Sequence, residues 1–229
     1  MLSQAQEKLI KSLHNNKGRA KANLWLVEGK KFLELAAPAI QLTFKATDTI
    51  NFRQLTTTDS LPTIAAIARP PQFEITDIKK KKTILLLDNI QDPGNLGTII
   101  RLAGAFDAGL IFLNCVDPGN PKVIRSSAGT IFKTPWLTMD WPASNKFIQE
   151  LNRPIYRLEN NPQATAINLK DKSLPPEILL VVGSEGQGIT APIVGQSLFI
   201  EHQPWIDSIN VATAVAIALF TRYQDKLYE

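Results

Sequence analysis

The chain has 229 residues, 44% hydrophobic and 20% charged, the balance of a soluble globular protein with material for one large core or two modest ones. Its one cysteine, Cys115, excludes an intrachain disulfide, and with only His14 and His202 elsewhere there is no ligand set for a structural zinc. The net charge of +4 is uneven: residues 1–82 hold 14 Lys and Arg against 7 Asp and Glu, which suits a part that meets a polyanion such as RNA.

The first residues, MLSQAQEKLIKSLHNNKGRAK, lack the apolar core of a secretory signal. The longest apolar-rich run, 211–220, is about half of what a membrane helix needs. A cytoplasmic protein is therefore expected. Leu2, Leu9, Ile10 and Leu13 recur with helical spacing and predict a helix over 3–13. The stretch 14–23, HNNKGRAKAN, reads as a flexible basic connection and as the best candidate for direct RNA contact. A strand over 23–29, a helix over 30–37 stopped by Pro38, and strands near 41–46 and 63–68 follow. Residues 1–73 thus read as a small α/β substrate-binding domain. Residues 74–82, after paired prolines and ending in Lys79 to Lys82, read as a linker.

Residues 83–229 alternate strand and helix, which predicts a mostly parallel sheet. Strands are expected at 83–87, 110–114, 177–183 and 197–201. Helices are expected at about 95–108 with Gly109 as stop, around 147–151, and at 209–226. In such a sheet ligands gather beyond the carboxyl ends of strands, which here means the loops 88–97, 183–190 and 202–210. The loop in VGSEGQGIT (182–190) approaches the phosphate-loop pattern. However, Ile189 stands where lysine is required and Glu185 adds negative charge, so a neutral or cationic ligand suits it better. No G-x-G-x-x-G follows the first strand of this part, which argues against a dinucleotide-dependent oxidoreductase. Arg101 is a lone cation on an otherwise apolar helix, and Asp207 and Ser208 sit where a helix N-cap is expected.

Taken together, DPGNLGTIIRLAGAFDAGLIFL, LLVVGSEGQGI and SINVATAVAIAL resemble, in order and spacing, the three motifs of the SpoU-type (TrmH-like) RNA ribose 2′-O-methyltransferases of the knotted SPOUT superfamily. PKVIRSSAGTIFKTPW (121–136) is similar to the family's segment between the first two motifs. LVEGKKFLELA (26–36) is similar to the small substrate-binding domain of many members. The resemblance implies a C-terminal α/β domain with a deep trefoil knot, S-adenosylmethionine as methyl donor, a homodimer and an RNA substrate, either rRNA or tRNA, with the extra N-terminal domain favouring rRNA.

Carried over residue by residue, the resemblance makes Arg101 the catalytic arginine and Asn95 the residue that ties the loops together. Glu185 becomes the acid that organises the site, and Ser208 with Asn210 the pair that shapes the pocket. Gly183, Ser184, Glu185 and Gly188 would hold the cofactor from one side, and Ile200, His202, Ser208 and Ile209 from the other. A guanidinium gives up its proton reluctantly, so the role of Arg101 suits phosphate positioning and charge stabilisation better than base catalysis. The family often has Pro-Met-x-Gly after the strand ending at Ile200. Here Glu201, His202 and Pro204 replace it, with His202 a candidate proton acceptor and Trp205 placed to stack on RNA or seal an interface. A pocket closed by that change would leave the competing reading, a knotted RNA-binding protein without catalysis.

Overall fold

The computed structural model describes residues 1–159, 167–168 and 174–227, and only the backbone of 167–168 and 224–227. Helix α1 (Gln4–Ser12) starts in a capping box, Ser3 Oγ accepting from Gln6 N while Gln6 Oε1 accepts from Ser3 N. Next comes α2 (Asn16–Ala22), capped by the Asn15 side chain and ended by Asn23 in the left-handed region at φ 50°. The stretch 14–23 is therefore mainly a helix rather than a flexible connection. Arg19, one of its cations, is buried: its guanidinium lies 2.6 Å from Asp117 and donates to the Leu13 carbonyl at 2.8 Å. That pair leaves Arg19 nothing to offer a phosphate.

Strands β1 (Trp25–Glu28), β2 (Ile40–Phe44) and β3 (Ala65–Ala68) form an antiparallel sheet in the order β1-β3-β2, with α3 (Lys30–Ala36) and α4 (Phe52–Leu55) in its connections. The expected linker contains α5 (Ile75–Lys79). Ile78 is fully buried, Lys79 pairs with Glu150 at 3.1 Å and Lys81 with Asp107 at 2.5 Å. Its lysine run is thus partly tied down by acids of the second part.

That part begins with β4 (Thr83–Asp88), α6 (Pro93–Ala105), β5 (Ala108–Leu113), α7 (Pro121–Ser126), β6 (Trp136–Met139) and α8 (Trp141–Leu151). It continues through β7 (Ile155–Leu158), β8 (Ile167–Asn168), β9 (Ile178–Gly183), β10 (Gln196–Phe199) and α9 (Val211–Leu227). All pairings are parallel, in the order β6-β5-β4-β9-β7-β10-β8. The central strands β4, β5 and β9 are buried at every position, which is why they read as unbroken apolar runs. Short, half-buried β6 and β7 carry no such run and were not foreseen. Helix α6 stops at Ala105, earlier than expected. Asp107 makes the left-handed turn at φ 53°, while Gly109 lies inside β5. A Cβ on Gly109 would sit 3.2 Å from Ile78 Cγ2, so packing, not capping, accounts for the glycine.

Alternate residues of the sheet face opposite ways. Leu85, Leu87, Leu110 and Phe112 join α6 and α9 in one core, and Ile84, Leu86, Ile111 and Leu113 meet Ile78 of α5 and Phe147 of α8 in another. The first core also takes in Trp25, Val27, Ala66 and Ala68 from the antiparallel sheet. Trp25 stacks on Trp136 with centroids 6.0 Å apart, and Trp136 on Phe112 at 5.4 Å. Two ion pairs cross the same boundary, Arg19–Asp117 and Arg125–Glu28 at 2.8 Å, with the Glu28 side chain 1% exposed. The antiparallel sheet is docked on the parallel one through shared core.

Cys115 is half-buried; burial pushes its thiol up to about 12, and its Sγ donates to the Leu87 carbonyl at 3.3 Å. The nucleophilic thiolate is then scarce at neutral pH. Iodoacetamide at pH 8 is expected to leave the folded protein unmodified and to alkylate Cys115 after denaturation, as read by intact mass. Rapid modification of the folded protein would contradict this placement.

Candidate functional site

Because the strands run parallel, the loops after β4, β9 and β10 leave one edge of the sheet. The last residue of β4, Asp88, is 1% exposed. Its Oδ2 accepts from Thr190 N at 2.6 Å, Ala191 N at 2.7 Å and Thr190 Oγ1 at 3.0 Å. Those charge-assisted bonds fix where the loop after β9 rejoins the fold. Sequence reasoning put Asp88 in a turn and missed this role. The available signal was a lone acid closing an otherwise apolar strand.

The loop after β9 closes on itself: Ser184 N donates to the Gly188 carbonyl at 3.1 Å and Gly188 N to the Ser184 carbonyl at 2.9 Å, with Gly188 at φ 67°. Gly183 has no room for a side chain, since a Cβ would lie 2.1 Å from the Gly188 carbonyl carbon and 2.3 Å from Ile189 N. Nothing lies within 4 Å of a Cβ on Gly186. Gly183→Ala is therefore expected to push the loop open and to lower stability by about 1–3 kcal/mol, whereas Gly186→Ala is expected to be near neutral. Thermal unfolding of the two variants checks this; equal behaviour would contradict the close approach.

Three residues from the three loops meet at the loop tips. Glu185 Oε1 accepts from Asn95 Nδ2 at 2.6 Å and Asn210 Nδ2 at 2.9 Å, and Asn210 Nδ2 also donates to Asn95 Oδ1 at 3.0 Å. Each asparagine is held by its helix. Asp92 caps α6 through Asn95 N at 2.8 Å, and Asn210 Oδ1 caps α9 through Ala212 N at 3.0 Å and Thr213 N at 3.2 Å. The cap of α9 is thus Asn210, not Asp207 or Ser208 as expected, because the helix starts at Val211.

Beside this junction lies a cavity of about 410 Å³. Gly183, Ser184, Glu185 and Gly188 line it from the loop after β9, and Ile200, His202, Ser208 and Ile209 from the segment after β10. These are the eight positions that the sequence nominated for the cofactor. Leu158, Val182, Ile189 and Val211 give it apolar walls. Its charged lining is acidic, Glu159, Glu185 and Asp207, with no Lys or Arg among the described lining residues. Glu159, at the end of β7, was not foreseen. It accepts from Ser197 Oγ at 2.5 Å and from Arg157 at 2.9 Å, which holds its carboxylate at the cavity wall.

His202 turns out to be a brace. Nδ1 lies 2.6 Å from the Ile200 carbonyl and Nε2 3.2 Å from the Ile206 carbonyl. Both ring nitrogens thus face carbonyls of the same turn. His202 pins the 200–206 turn, and the cavity stays open despite the altered segment. Trp205 beside it is 77% exposed.

Arg101 does not line the cavity. It is exposed on α6, and its side chain makes no hydrogen bond or ion pair with the described residues. Helix α9 packs on α6, with Phe106 and Tyr223 edge to face at 5.5 Å, and leaves Ile217, Phe220 and Tyr223 exposed. A free arginine therefore lies on a helix pair whose outer face is partly apolar.

Comparison with known proteins gives consistent matches. The SpoU rRNA Methylase family model matches residues 82–220. A 23S rRNA (guanosine(2553)-2′-O)-methyltransferase of Bacillus subtilis is 28% identical over 235 residues, covering 92% of each chain. An uncharacterized tRNA/rRNA methyltransferase of Synechocystis is 30% identical over 248 residues, covering 93% of this chain and 88% of its own. Among solved structures, an AdoMet-bound rRNA methyltransferase from Sinorhizobium meliloti superposes with a TM-score of 0.86 at 23% identity, over 98% of this chain and 96% of that one, a likeness of fold.

Proposed function

The chain belongs to the SpoU rRNA methylase family, and on that premise we propose that it methylates a ribose 2′-hydroxyl of ribosomal RNA with S-adenosylmethionine as donor. The observation that carries this is the cavity where the loops after β9 and β10 meet, with its acidic lining and apolar walls. A volume of about 410 Å³ falls within the range of about 300–1,000 Å³ typical of small-ligand sites. Three carboxylates, with no Lys or Arg among the described lining residues, disfavour a polyphosphate and suit a ligand that carries a cationic sulfur and an ammonium group.

S-adenosylmethionine, when bound, supplies a methyl group on a positively charged sulfur. Backbone groups around Gly183, Gly188, Ile200 and Ile209 would hold its adenosine part, and Ser208 would shape the pocket beside it. Glu185 acts by tying Asn95 and Asn210 together, so that the three loops present a single fixed surface. Arg101 reaches a phosphate of the RNA and stabilises charge growing on the attacking oxygen; the proton leaves to a phosphate oxygen or water.

Arg101 stands outside its own chain's cavity, and α9 offers Ile217, Phe220 and Tyr223 to a partner. We therefore read the active protein as a homodimer in which Arg101 of one protomer serves the cavity of the other. The trefoil knot implied by the family belongs to the same reading, and the interleaved order β4-β9-β7-β10 supports it. A cytoplasmic location accords with an rRNA substrate; among the described residues no helix is long and apolar enough to cross a membrane.

Titration with S-adenosylhomocysteine in a calorimeter tests the cavity without RNA. Micromolar, saturable binding, about −8 kcal/mol, is expected, and Gly183→Ala should weaken it. An absence of binding with or without RNA would leave a knotted RNA-binding protein as the better reading.

A further inference from the structure

A second cavity, about 470 Å³, has the opposite chemistry. It lies where residues 69–73, after β3, meet residues 132–133, ahead of β6, with Asn23, Leu35 and Pro38 on its remaining side. No residue lines both cavities, and because residues 132–133 precede the amino end of β6 this one sits by the other edge of the parallel sheet. Its charged lining among the described residues is cationic: Arg69 from the first part and Lys133 from the second, with no Asp or Glu among them. Both cations are exposed, and neither side chain is paired with a described residue. Leu35, Pro38, Pro71, Phe73 and Phe132 supply apolar and aromatic surface. Phe73 is held edge-on to Trp136 at 6.2 Å, and the Arg69 backbone is pinned to the Ala39 carbonyl at 2.9 Å.

An anion on the rim and a flat apolar group on the floor are the two halves of a nucleotide. We infer that this cavity holds one unstacked nucleotide of the substrate RNA, its base against the Phe73 and Pro71 surface and its phosphates at Arg69 and Lys133. The inference rests on the RNA-methylating function proposed above. It places a contact between the two parts of the chain rather than within the first, and at a distance from the reacting ribose. An RNA that reaches both cavities is read by shape across the width of the molecule, which a single methylated ribose cannot provide.

The test compares wild-type protein with Arg69→Ala/Lys133→Ala, neither residue being part of the cofactor site. The probe is an in vitro 23S rRNA transcript, with adenosine monophosphate as a separate ligand. The double variant is expected to bind the transcript about tenfold more weakly and to lower the salt slope of binding by about two. Its S-adenosylhomocysteine affinity and melting temperature should stay unchanged. With a 4-thiouridine-substituted transcript, ultraviolet crosslinks should fall on the peptides containing Phe73 or Phe132 in the wild type. Unchanged transcript affinity without such crosslinks overturns the inference. So does a variant that loses adenosine monophosphate binding but keeps the transcript, which would make this a free-nucleotide site. Wild-type protein that binds no S-adenosylhomocysteine, with or without RNA, would instead sink the parent function, and this inference with it.

Discussion

Replacing Arg101 with alanine is expected to slow methyl transfer about 100- to 1,000-fold, the range seen when one preorganised donor to developing charge is removed. Cofactor affinity should change little, because the role assigned to Arg101 is toward the RNA phosphate and the attacking oxygen rather than the cofactor, and folding should not change, because its side chain is exposed and unpaired among the described residues. Arg101→Lys keeps the charge but loses the planar fork, so it should recover only part of the rate. A variant that keeps more than half of the wild-type rate would remove Arg101 from the mechanism. The same variant tests the shared site. Mixed and re-equilibrated with Gly183→Ala, whose own cavity the substitution should impair, it should regain activity, because one site of each mixed dimer combines an intact arginine with an intact cavity. Random pairing sets the ceiling at about a quarter of wild type. If Arg101 serves its own chain's cavity, mixing restores nothing.

The second large effect concerns stability. Glu28 is nearly inaccessible and is held by Arg125 at 2.8 Å, Thr57 N at 2.6 Å and Thr57 Oγ1 at 2.5 Å. Removing one partner of a buried pair costs about 3–5 kcal/mol, because the other charge stays buried. Here Thr57 still serves the carboxylate and the Arg125 side chain is 29% exposed, so about 2–3 kcal/mol is expected for Arg125→Ala. At about 2–4 °C per kcal/mol for a chain of this length, the melting temperature should fall by roughly 4–12 °C. Lys79→Ala, which removes an exposed pair with Glu150, should shift it by little more than a degree or two. An independently folded first part on a loose tether would leave the melting temperature unmoved by Arg125→Ala.

Of those two cases Arg101 was nominated by the sequence, and the Glu28–Arg125 pair, 97 residues apart, was not. Arg101 and Glu185 stood out because each breaks a local pattern, a cation on an apolar helix and an acid in a glycine loop, but the roles expected of Arg101, Asn95, Glu185 and Asn210 came from the resemblance of three motifs in a fixed order. The central strands were readable for the opposite reason: burial on both faces leaves unbroken apolar runs. What failed depends on partners distant in sequence. Arg19 looked like a surface cation until Asp117, 98 residues on, was placed beside it. Asp88 looked like a turn residue until Thr190 and Ala191 came within bonding distance. His202, nominated both as a proton acceptor and as a structural residue, is a local case: its ring nitrogens face two carbonyls of its own turn. The second cavity draws on four separated segments, so no local pattern announces it.

The central claim is tested most directly by incubating the protein with methyl-tritiated S-adenosylmethionine and an in vitro 23S rRNA transcript, then hydrolysing the RNA in alkali. A 2′-O-methyl group blocks cleavage at its own nucleotide. The account predicts label in alkali-resistant dinucleotides from one position, and its loss with Arg101→Ala. Label released wholly in mononucleotides would place the methyl group on a base and contradict the proposed chemistry.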